Sequence, residues 1–317
     1  MSSQSLPKVL HIYKSYRVDS THWDLYRPRE DDIIIATYLK SGTTWTQSIV
    51  RELIVHSLDE HDLHTPERVP LLDNISSLWP DNHLSGSIEA LYEQLEAQQH
   101  RRFIKTHLPL DGLPFYPQVK YLVVARDTRD VFMSLWNHYS NYTDAFYSLF
   151  NEVPDRPSAP LPRCPEDIHV FWQSWISRGW FDWEQEGYPF LGHMHHTQTW
   201  WNYRHLDNIQ LFHYADMLAD PKGEIKRIAT FLGIEVSDEI LATIIQTTSL
   251  LAMRKRAQGV KDYLLFKKGP DTFFFKGTNG RWQDVLTEDE LAMYETTKSK
   301  VLSPDCASWL EQGRVAL

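Results

Sequence analysis

Polar side chains that can bind an anion or move a proton follow three short apolar runs of this sequence. The groups are Lys40-Ser41-Gly42-Thr43-Thr44, Lys105-Thr106-His107 and Arg126-Asp127. Lysine and arginine supply positive charge, hydroxyls and backbone amides donate hydrogen bonds, and histidine can accept a proton near neutral pH. If the apolar runs are parallel strands, their carboxyl ends border one crevice of the sheet. We therefore expect the three groups to form one anion-binding site that also contains a proton acceptor.

The first group has the pattern of a phosphate-binding loop. Gly42 has no side chain, so it permits positive φ and lets the backbone approach an anion closely. The amides of Thr43 and Thr44 would open a helix, where unpaired N–H groups and the helix dipole favour negative charge. An ordinary strand-to-helix turn with a capping threonine is the alternative interpretation. The kinase and ATPase pattern G-x-x-x-x-G-K-[ST] is absent, because Lys40 precedes the glycine.

Apolar runs and helix-like stretches alternate along the chain. Four runs without polar alternation are predicted to be buried strands: 33–36, 102–104, 119–125 and 209–212. Apolar residues at helical spacing predict helices over 44–57 and 128–139. This alternation indicates an α/β fold with a doubly wound parallel sheet flanked by helices. We predict a single domain over 1–317, with the proline-rich stretch 151–165 as an irregular surface loop.

Charge and composition exclude several classes of protein. The chain has 317 residues, 42% of them hydrophobic, and a net charge of −10, which argues against a general nucleic-acid or anionic-membrane binder. The segment from Leu251 to Arg281 is different, because it contains eight basic and two acidic residues. Such a segment indicates either a local polyanion site or a solvated basic loop.

The sequence has neither a cysteine framework nor a targeting signal. The two cysteines, Cys164 and Cys306, do not make a disulfide framework and have no metal-ligand spacing. The first thirty residues contain no apolar signal segment, and no apolar run approaches the roughly 20 residues that span a bilayer. We expect a cytoplasmic protein that has no integral membrane segment and no nucleic-acid partner.

Over nearly its whole length the sequence resembles the cytosolic sulfotransferases that use 3′-phosphoadenosine 5′-phosphosulfate (PAPS). Residues 38–45 (YLKSGTTW) resemble the loop that binds the 5′-phosphosulfate of the donor, and 105–109 (KTHLP) the catalytic strand end. Further segments resemble the family's nucleotide-binding motifs: 126–134, 211–214, 246–250 and 276–282. The last of these is closer in style to bacterial aryl or glycolipid members. The resemblance implies a P-loop-like sheet.

The implied reaction transfers a sulfuryl group from PAPS to a hydroxyl or amine of a small hydrophobic acceptor such as a phenol, alcohol, steroid or glycolipid, and releases 3′-phosphoadenosine 5′-phosphate (PAP). His107 is then the general base, while Lys40 and Lys105 stabilise charge on the transferred group and the leaving oxygen. Arg126 and Ser134 bind the 3′-phosphate, and Ser134 is also in reach of the catalytic lysine. The other implied donor-binding residues are Ser41, Gly42, Thr43, Thr44, Trp45, Tyr214, Thr248, Ser249, Lys276 and Gly277.

No metal is implied. The tract His193-Met194-His195-His196 corresponds to a helical segment of the family rather than to a metal site. The family's short dimerisation pattern is degraded, with Gln283 and Glu288 in place of lysine and valine, so we expect a monomer or a weak homodimer.

The nucleotide site departs from the family pattern at two positions. Phe275 precedes Lys276-Gly277 where the family usually has arginine, so one 3′-phosphate contact is missing or has moved to one of the basic residues Arg254, Arg256 or Arg281. Leu250 stands where an aromatic commonly completes the adenine sandwich, so stacking would be one-sided.

The acceptor pocket of the family is built from aromatics and mobile loops. The candidates in this sequence are Trp79, Tyr139, Tyr142, Phe146, Tyr147 and Phe150, with a candidate lid around 140–165. Two other functions stay open: a PAP-binding protein of the same fold without catalysis, and a P-loop nucleotide kinase that uses Lys40.

Overall fold

A four-stranded parallel sheet forms the centre of the protein. The computed structural model describes residues 5–58, 87–152 and 158–316, apart from the side chain of Asp262. The strands are β1 (Ile33–Thr37), β2 (Phe103–Thr106), β3 (Lys120–Ala125) and β4 (Ile209–His213), and their order across the sheet is β2-β1-β3-β4. All four predicted strands are confirmed, and their bounds differ from the prediction by no more than two residues.

Burial explains why the strand sequences lack polar alternation. Every residue of β1 is buried, because helices cover both faces of the sheet. In the parallel register Ile33 lies opposite Phe103 on one side and Lys120 on the other. The buried side chains continue from the sheet into one hydrophobic core that extends from Tyr13 to Leu310.

Thirteen helices are assigned in the described part of the chain: α1 (Thr43–Ser57), α2 (Ile88–Ala97), α3 (Thr128–Tyr139), α4 (Asp144–Asn151), α5 (Ile168–Ser177), α6 (His193–Trp201), α7 (Tyr214–Ala219), α8 (Pro221–Leu232), α9 (Asp238–Thr247), α10 (Leu250–Arg256), α11 (Pro270–Phe273), α12 (Glu288–Val301) and α13 (Pro304–Gln312). Both helices predicted from apolar spacing, α1 and α3, are confirmed. Helix α3 begins where the Asp127 carboxylate accepts the backbone N–H of Arg129 at 2.8 Å. Within the described residues no helix is both long and apolar enough to cross a membrane.

The carboxyl ends of the strands bring the three polar groups together, as the sequence predicts. His107, just after β2, hydrogen bonds to the carbonyl of Thr37 at the end of β1. Arg126, just after β3, donates to the carbonyl of Lys40 in the loop after β1. The predicted crevice is therefore formed by the ends of adjacent strands.

The proline-rich stretch begins in helix α4, and hydrogen bonds hold its later residues against that helix. Asn151 still belongs to helix α4, and 158–165 is irregular as predicted, whereas 153–157 lies outside the described residues. The side chain of Asn151 accepts the N–H of Leu161 at 2.8 Å and donates to its carbonyl at 3.0 Å. The hydroxyl of Tyr147 accepts the N–H of Cys164 at 3.0 Å. These contacts fasten residues 161–164 of the candidate lid to helix α4.

Candidate active site

The loop between β1 and α1 has the backbone of an anion cradle. Lys40 and Gly42 both have positive φ, 67° and 104°. Gly42 is the N-cap residue of the 15-residue helix α1 and supplies no side-chain acceptor, so the first amides of the helix point into the crevice without a capping side chain. The buried hydroxyl of Ser41 has no hydrogen-bond partner among the described residues. These donors match what a phosphate or sulfate oxygen requires.

Glycine is required at position 42 for a second reason. A Cβ atom built there would lie 2.9 Å from Cδ2 of Tyr214, closer than real Cβ contacts come. Tyr214 follows β4 and packs its ring against the loop, so the fourth strand end contributes to the same site.

His107 is oriented as a proton acceptor. Its Nδ1 lies 2.6 Å from the carbonyl oxygen of Thr37, which can only accept, so Nδ1 holds the proton and Nε2 holds the lone pair. The ring is buried. Burial, reinforced by the positive charges of Lys105 and Arg17, lowers the pKa of His107 well below its ordinary value. The imidazole is therefore neutral, and can act as a base, across the neutral pH range.

The Lys40 ammonium group lies among buried aromatic side chains. Its Nζ is 3.4 Å from Nδ1 of His138 and 4.7 Å from the centre of the Phe273 ring. Burial, with added repulsion from Arg126 and Arg17, lowers the pKa of Lys40 to about 7. An anion in the cradle would reverse this effect, because opposite charge favours the protonated lysine.

His138 is a site residue that sequence reasoning missed. Burial, with repulsion from the Lys40 charge, lowers the pKa of His138 well below its ordinary value, so its neutral Nδ1 can accept a hydrogen bond from the ammonium group. His138 lies one helical turn beyond Ser134 on α3, and the i, i+4 spacing was the one signal that could have found it. Ser134 is half-buried on the same helix, and its contact with the lysine stays a prediction.

Arg126 connects two parts of the nucleotide site. Its guanidinium donates to the carbonyl of Lys40 at 3.3 Å, to the carbonyl of Thr278 at 2.9 Å and to the side chain of Asn279 at 3.0 Å. It also lies 4.4 Å from the centre of the Tyr214 ring. The late segment 276–282 is therefore held directly against the first loop.

The other predicted donor-binding residues divide into two groups. Trp45, Tyr214 and Gly277 come together: the rings of Trp45 and Tyr214 meet edge to face at 5.6 Å, and the Tyr214 hydroxyl donates to the Gly277 carbonyl at 3.3 Å. In contrast, the hydroxyl of Thr248 is buried and donates to its own helix, and Ser249 caps the start of α10. Lys276, the residue before Gly277, is exposed.

The structure distinguishes the three basic residues considered for the missing phosphate contact. Arg254 is bonded to the carbonyls of Phe274 and Phe275, and Arg256 forms a 3.9 Å ion pair with Glu52. Burial, with added repulsion from the charge of Arg126, lowers the pKa of Arg281, and the Arg281 guanidinium lies 5.5 Å from the centre of the Phe275 ring. The buried Nε of Arg281 has no acceptor in the described part of the chain. Because Arg254 and Arg256 are engaged elsewhere, Arg281 is the candidate among the three, and its contact with the 3′-phosphate stays a prediction.

A narrow cavity with room for about one water molecule, about 10 Å³, opens beside His107. Its lining comes from the N-terminal segment, the strand ends and the stretch before α6: Ser15, Tyr16, Arg17, Val18, Leu39, His107, Trp180, Pro189, Phe190 and Leu191. The wall before α6 is held by buried carboxylates, because Glu184 accepts the N–H of Gly192 at 2.7 Å and Glu186 accepts that of His193 at 2.9 Å.

The aromatic residues predicted for the acceptor pocket stand behind this wall rather than in it. Tyr139 packs on Phe190 at 5.2 Å, and Phe150 packs on Tyr16 at 6.1 Å. The other described candidates form a cluster around Tyr142, whose ring stacks on Phe146 at 3.5 Å. Trp79 lies outside the described residues. None of the described candidates lines the cavity beside His107, because α4 packs its apolar face into the core, and their place in an acceptor pocket stays a prediction.

The histidine tract forms the start of helix α6, as predicted. Nε2 of His195 lies 2.9 Å from the carboxylate of Asp111, and the ring of His193 packs edge to face on Tyr38 at 4.8 Å. In the described ranges no group of three or more histidine, cysteine, aspartate or glutamate side chains is arranged to hold a metal ion.

An anion cradle at a helix start, a buried arginine and a neutral, buried histidine lie together at the strand ends, an arrangement suited to the transfer of an anionic group. Comparison with known proteins gives the family. A family model described as the sulfotransferase domain matches residues 30–302. A glycolipid sulfotransferase of Mycobacterium bovis is 34% identical over 96% of this chain and 94% of the relative. Sulfotransferase 1B1 of Canis lupus familiaris is 28% identical over 93% of both chains.

Solved structures share the fold. The mouse sulfotransferase SULT7A1 complexed with PAP has a TM-score of 0.62 at 21% identity and covers 90% of this chain and 89% of its own. Retinol dehydratase in a complex with retinol and PAP has a TM-score of 0.61 at 25% identity, over 90% of this chain and 84% of its own. The chain therefore belongs to the sulfotransferase family, and the enzyme class predicted from its motifs, a PAPS-dependent sulfotransferase, is confirmed.

Proposed function

We propose that the protein transfers the sulfuryl group of PAPS to a hydroxyl of a small hydrophobic acceptor, or of a ring-sized part of a larger one, bound beside His107. The observation that supports this most directly is the hydrogen bond from His107 Nδ1 to Thr37, which leaves Nε2 as the basic atom of a residue that lines the cavity.

The reaction is a single displacement at sulfur. Nε2 of His107 takes the proton of the acceptor hydroxyl while the hydroxyl oxygen forms a bond to sulfur. The bond between sulfur and the 5′-phosphate oxygen breaks, and its electron pair stays with PAP. The products are the sulfated acceptor, PAP and a protonated His107, so atoms and charge balance. In such a loose transition state the protein acts mainly by positioning the groups and stabilising charge.

The lysines and the helix start stabilise that charge. The amides and hydroxyls of residues 41–45 bind the 5′-phosphosulfate, and Lys40 and Lys105 place positive charge at the transferred group and the leaving oxygen. Buried charge acts strongly here, because the site excludes much of the water that would screen it.

The other end of the donor is bound by a pair of guanidinium groups. Burial and the charge of Arg126 lower the pKa of Arg281, and a 3′-phosphate bound by both guanidinium groups would relieve that repulsion. Arg281 thereby replaces the family arginine that is absent at Phe275. Trp45 and Tyr214 border the adenosine, and Leu250, which lies against Gly277, offers an aliphatic surface on the same side.

The acceptor class is tested by incubating the protein with labelled PAPS and a panel of phenols, alcohols, amines and glycolipids, with mass spectrometry of the products. Glycolipids belong in the panel because a 34% identical relative is a glycolipid sulfotransferase. We expect sulfation of at least one hydroxyl-bearing acceptor and loss of transfer in His107→Ala. PAP should raise the melting temperature more than ATP at equal concentration. Tight PAP binding without transfer to any member of the panel would favour a non-catalytic PAP-binding protein.

A further inference from the structure

Exposed positive charge and exposed apolar side chains are concentrated in residues 251–276. Leu251 is 76% exposed and Leu264 is 70% exposed, and Val260 and Phe275 are exposed as well. Together with the cations among them, these side chains form what we call the basic apolar surface. Its exposed cations are Lys255, Arg256, Lys261, Lys267, Lys268 and Lys276. Single exposed aliphatic residues are common, whereas a group of them rimmed by polar residues marks an interaction surface.

The residues of this surface belong to one small unit with its own core. Met253, Ala257 and Phe274 form a buried cluster that is separate from the main hydrophobic core. The ring of Tyr263 packs on that of Phe274 at 5.6 Å. Helix α10, the turn of 3₁₀ helix at Lys261–Leu265 and helix α11 therefore meet at this cluster and leave their outer sides to solvent.

The positive charge of the surface is only partly neutralised by neighbouring acids. Among the described side chains of 251–276, Asp271 is the one carboxylate, and it lies 3.8 Å from Nε of Arg254. The exposed cations Lys255, Lys261 and Lys268 form no ion pair with any described residue. Because the whole chain carries a net charge of −10, the rest of the protein is acidic, and this surface would be turned toward an anionic partner.

The basic apolar surface also borders the catalytic crevice. The ring of Phe273 lies 4.7 Å from Nζ of Lys40 on the inner side, and Phe275, two residues further on, is exposed on the outer side. The carbonyl of Leu265 accepts both the N–H of Thr143 at 3.1 Å and its hydroxyl at 3.0 Å. Thr143 is the N-cap of helix α4, so the surface is also fixed to the start of the candidate lid.

We propose that the basic apolar surface docks the protein on an anionic lipid bilayer. The lysines would contact lipid phosphates while the exposed aliphatic side chains enter the headgroup region. The aliphatic members favour lipid over nucleic acid, because a nucleic acid has no apolar interior into which Leu251 and Leu264 could move. The acidic chain as a whole is not attracted to membranes, and the inference concerns this one surface. It goes beyond the proposed function, and only its consequence, that the crevice meets a lipid-borne acceptor at the membrane, rests on that function.

The test is sedimentation of the full chain with lipid vesicles, in the presence of saturating PAP so that the residues that bind nucleotide are occupied. Vesicles of phosphatidylcholine alone are compared with vesicles in which about a third of the lipid is phosphatidylglycerol. We expect partitioning onto the anionic vesicles to be at least about tenfold stronger, and to weaken as salt is added, because salt screens charge. Binding to the anionic vesicles no stronger than to the neutral ones would overturn the inference.

A pair of lysine variants tests whether this surface carries the charge-dependent binding. Lys255→Gln combined with Lys261→Gln should reduce partitioning onto the anionic vesicles by about fivefold for each lysine. Lys222→Gln combined with Lys226→Gln is the matched control, because it removes two exposed charges from helix α8 and should leave partitioning unchanged. If both double variants lost the same amount, the attraction would depend on overall charge, and the assignment to this surface would be wrong. A retained melting shift with PAP shows that each variant is folded.

A pair of leucine variants tests whether apolar side chains enter the bilayer. Leu251→Gln combined with Leu264→Gln should reduce partitioning by about tenfold, whereas Val315→Gln, at an 88% exposed position, should not change it. Unchanged partitioning of the leucine variant would also overturn the inference, because binding by charge alone suits a nucleic acid equally well, and an oligonucleotide competitor would then displace the protein. Vesicle binding involves no turnover of PAPS, so a negative result leaves the proposed function intact.

Discussion

Nζ of Lys40 lies 3.4 Å from Nδ1 of His138, so the lysine of the phosphate loop is hydrogen bonded to a histidine of helix α3, one turn beyond Ser134. Because burial and the charge of Lys40 keep His138 neutral, the histidine accepts and the ammonium donates. This contact holds the lysine inside the crevice at the position from which it can meet the donor. It is the basis of the first two predictions.

Replacing His138 should change the pH range over which Lys40 is charged. His138→Phe removes the acceptor that favours the ammonium form, so the already lowered pKa of Lys40 should fall further. We expect the alkaline limb of kcat/KM for PAPS to move down by about one pH unit, because one unit corresponds to about 1.4 kcal/mol. His138→Gln retains an acceptor and should keep the limb near the wild-type position. Equal profiles for both variants would show that the contact has no such effect.

Binding of PAP should take up a proton when the pH lies above the pKa of free Lys40, about 7. The 5′-phosphate favours the charged lysine and raises its pKa, so at pH 8 the complex holds a proton that the free protein lacks. Below pH 6 the lysine is already protonated and no uptake is expected. Calorimetry in buffers of different ionisation enthalpy measures the number of protons. Lys40→Met should abolish the uptake at pH 8, and uptake that persisted in this variant would point to another group.

His107→Ala should separate binding from catalysis. Removing a general base typically lowers the rate by about 100- to 10,000-fold, whereas the stabilisation of the protein by PAP should change little. Because the pKa of free His107 lies well below its ordinary value, wild-type activity should persist into mildly acidic solution before the base is protonated. A rate that fell with a midpoint above pH 6.5 would contradict the neutral, buried histidine described above.

Gly42→Ala should destabilise the protein and impair donor binding. The substitution forces a side chain into φ 104° and places Cβ 2.9 Å from the Tyr214 ring. Gly233→Ala is the matched control, since φ is 69° and nothing lies within 4 Å of the added atom. The control should lose about 1 kcal/mol from backbone strain alone. Chemical denaturation of the two variants would give the additional loss of unfolding free energy at Gly42. Equal losses in the two variants would show that Tyr214 moves away without a cost in stability.

Arg281→Met should weaken discrimination for the 3′-phosphate. PAP and AMP differ by that phosphate, so the ratio of their dissociation constants reports its contacts. Loss of one charge-assisted contact should reduce the ratio by about tenfold or more. Arg256→Met, which removes a half-exposed charge paired with Glu52, should leave it unchanged. If the two variants behaved alike, the 3′-phosphate would not be bound by Arg281.

The sequence indicated the sheet and the catalytic loop because these signals are local. An unbroken apolar run such as Ile33–Thr37 predicts a buried strand by itself, and positive φ at Gly42 follows from its lack of a side chain. The departure at Phe275 could be recognised from the motif, but its replacement could not, since Arg254, Arg256 and Arg281 were all candidates and nearness in sequence does not show which side chain is free to bind a phosphate. Only packing bonds Arg254 to backbone carbonyls and pairs Arg256 with Glu52.

By itself, then, the sequence determined the α/β sheet, the order of the polar loops at its edge and the family, because strand burial and loop chemistry depend on neighbouring residues. The tertiary structure decided the cavity beside His107, where the Tyr16 hydroxyl donates to the carbonyl of Pro189 although 173 positions separate them. It also decided that Lys40 contacts His138 and that the aromatics of α4 stand behind the wall. Such contacts between distant segments depend on how helices pack on the sheet, and no local pattern of residues specifies that packing.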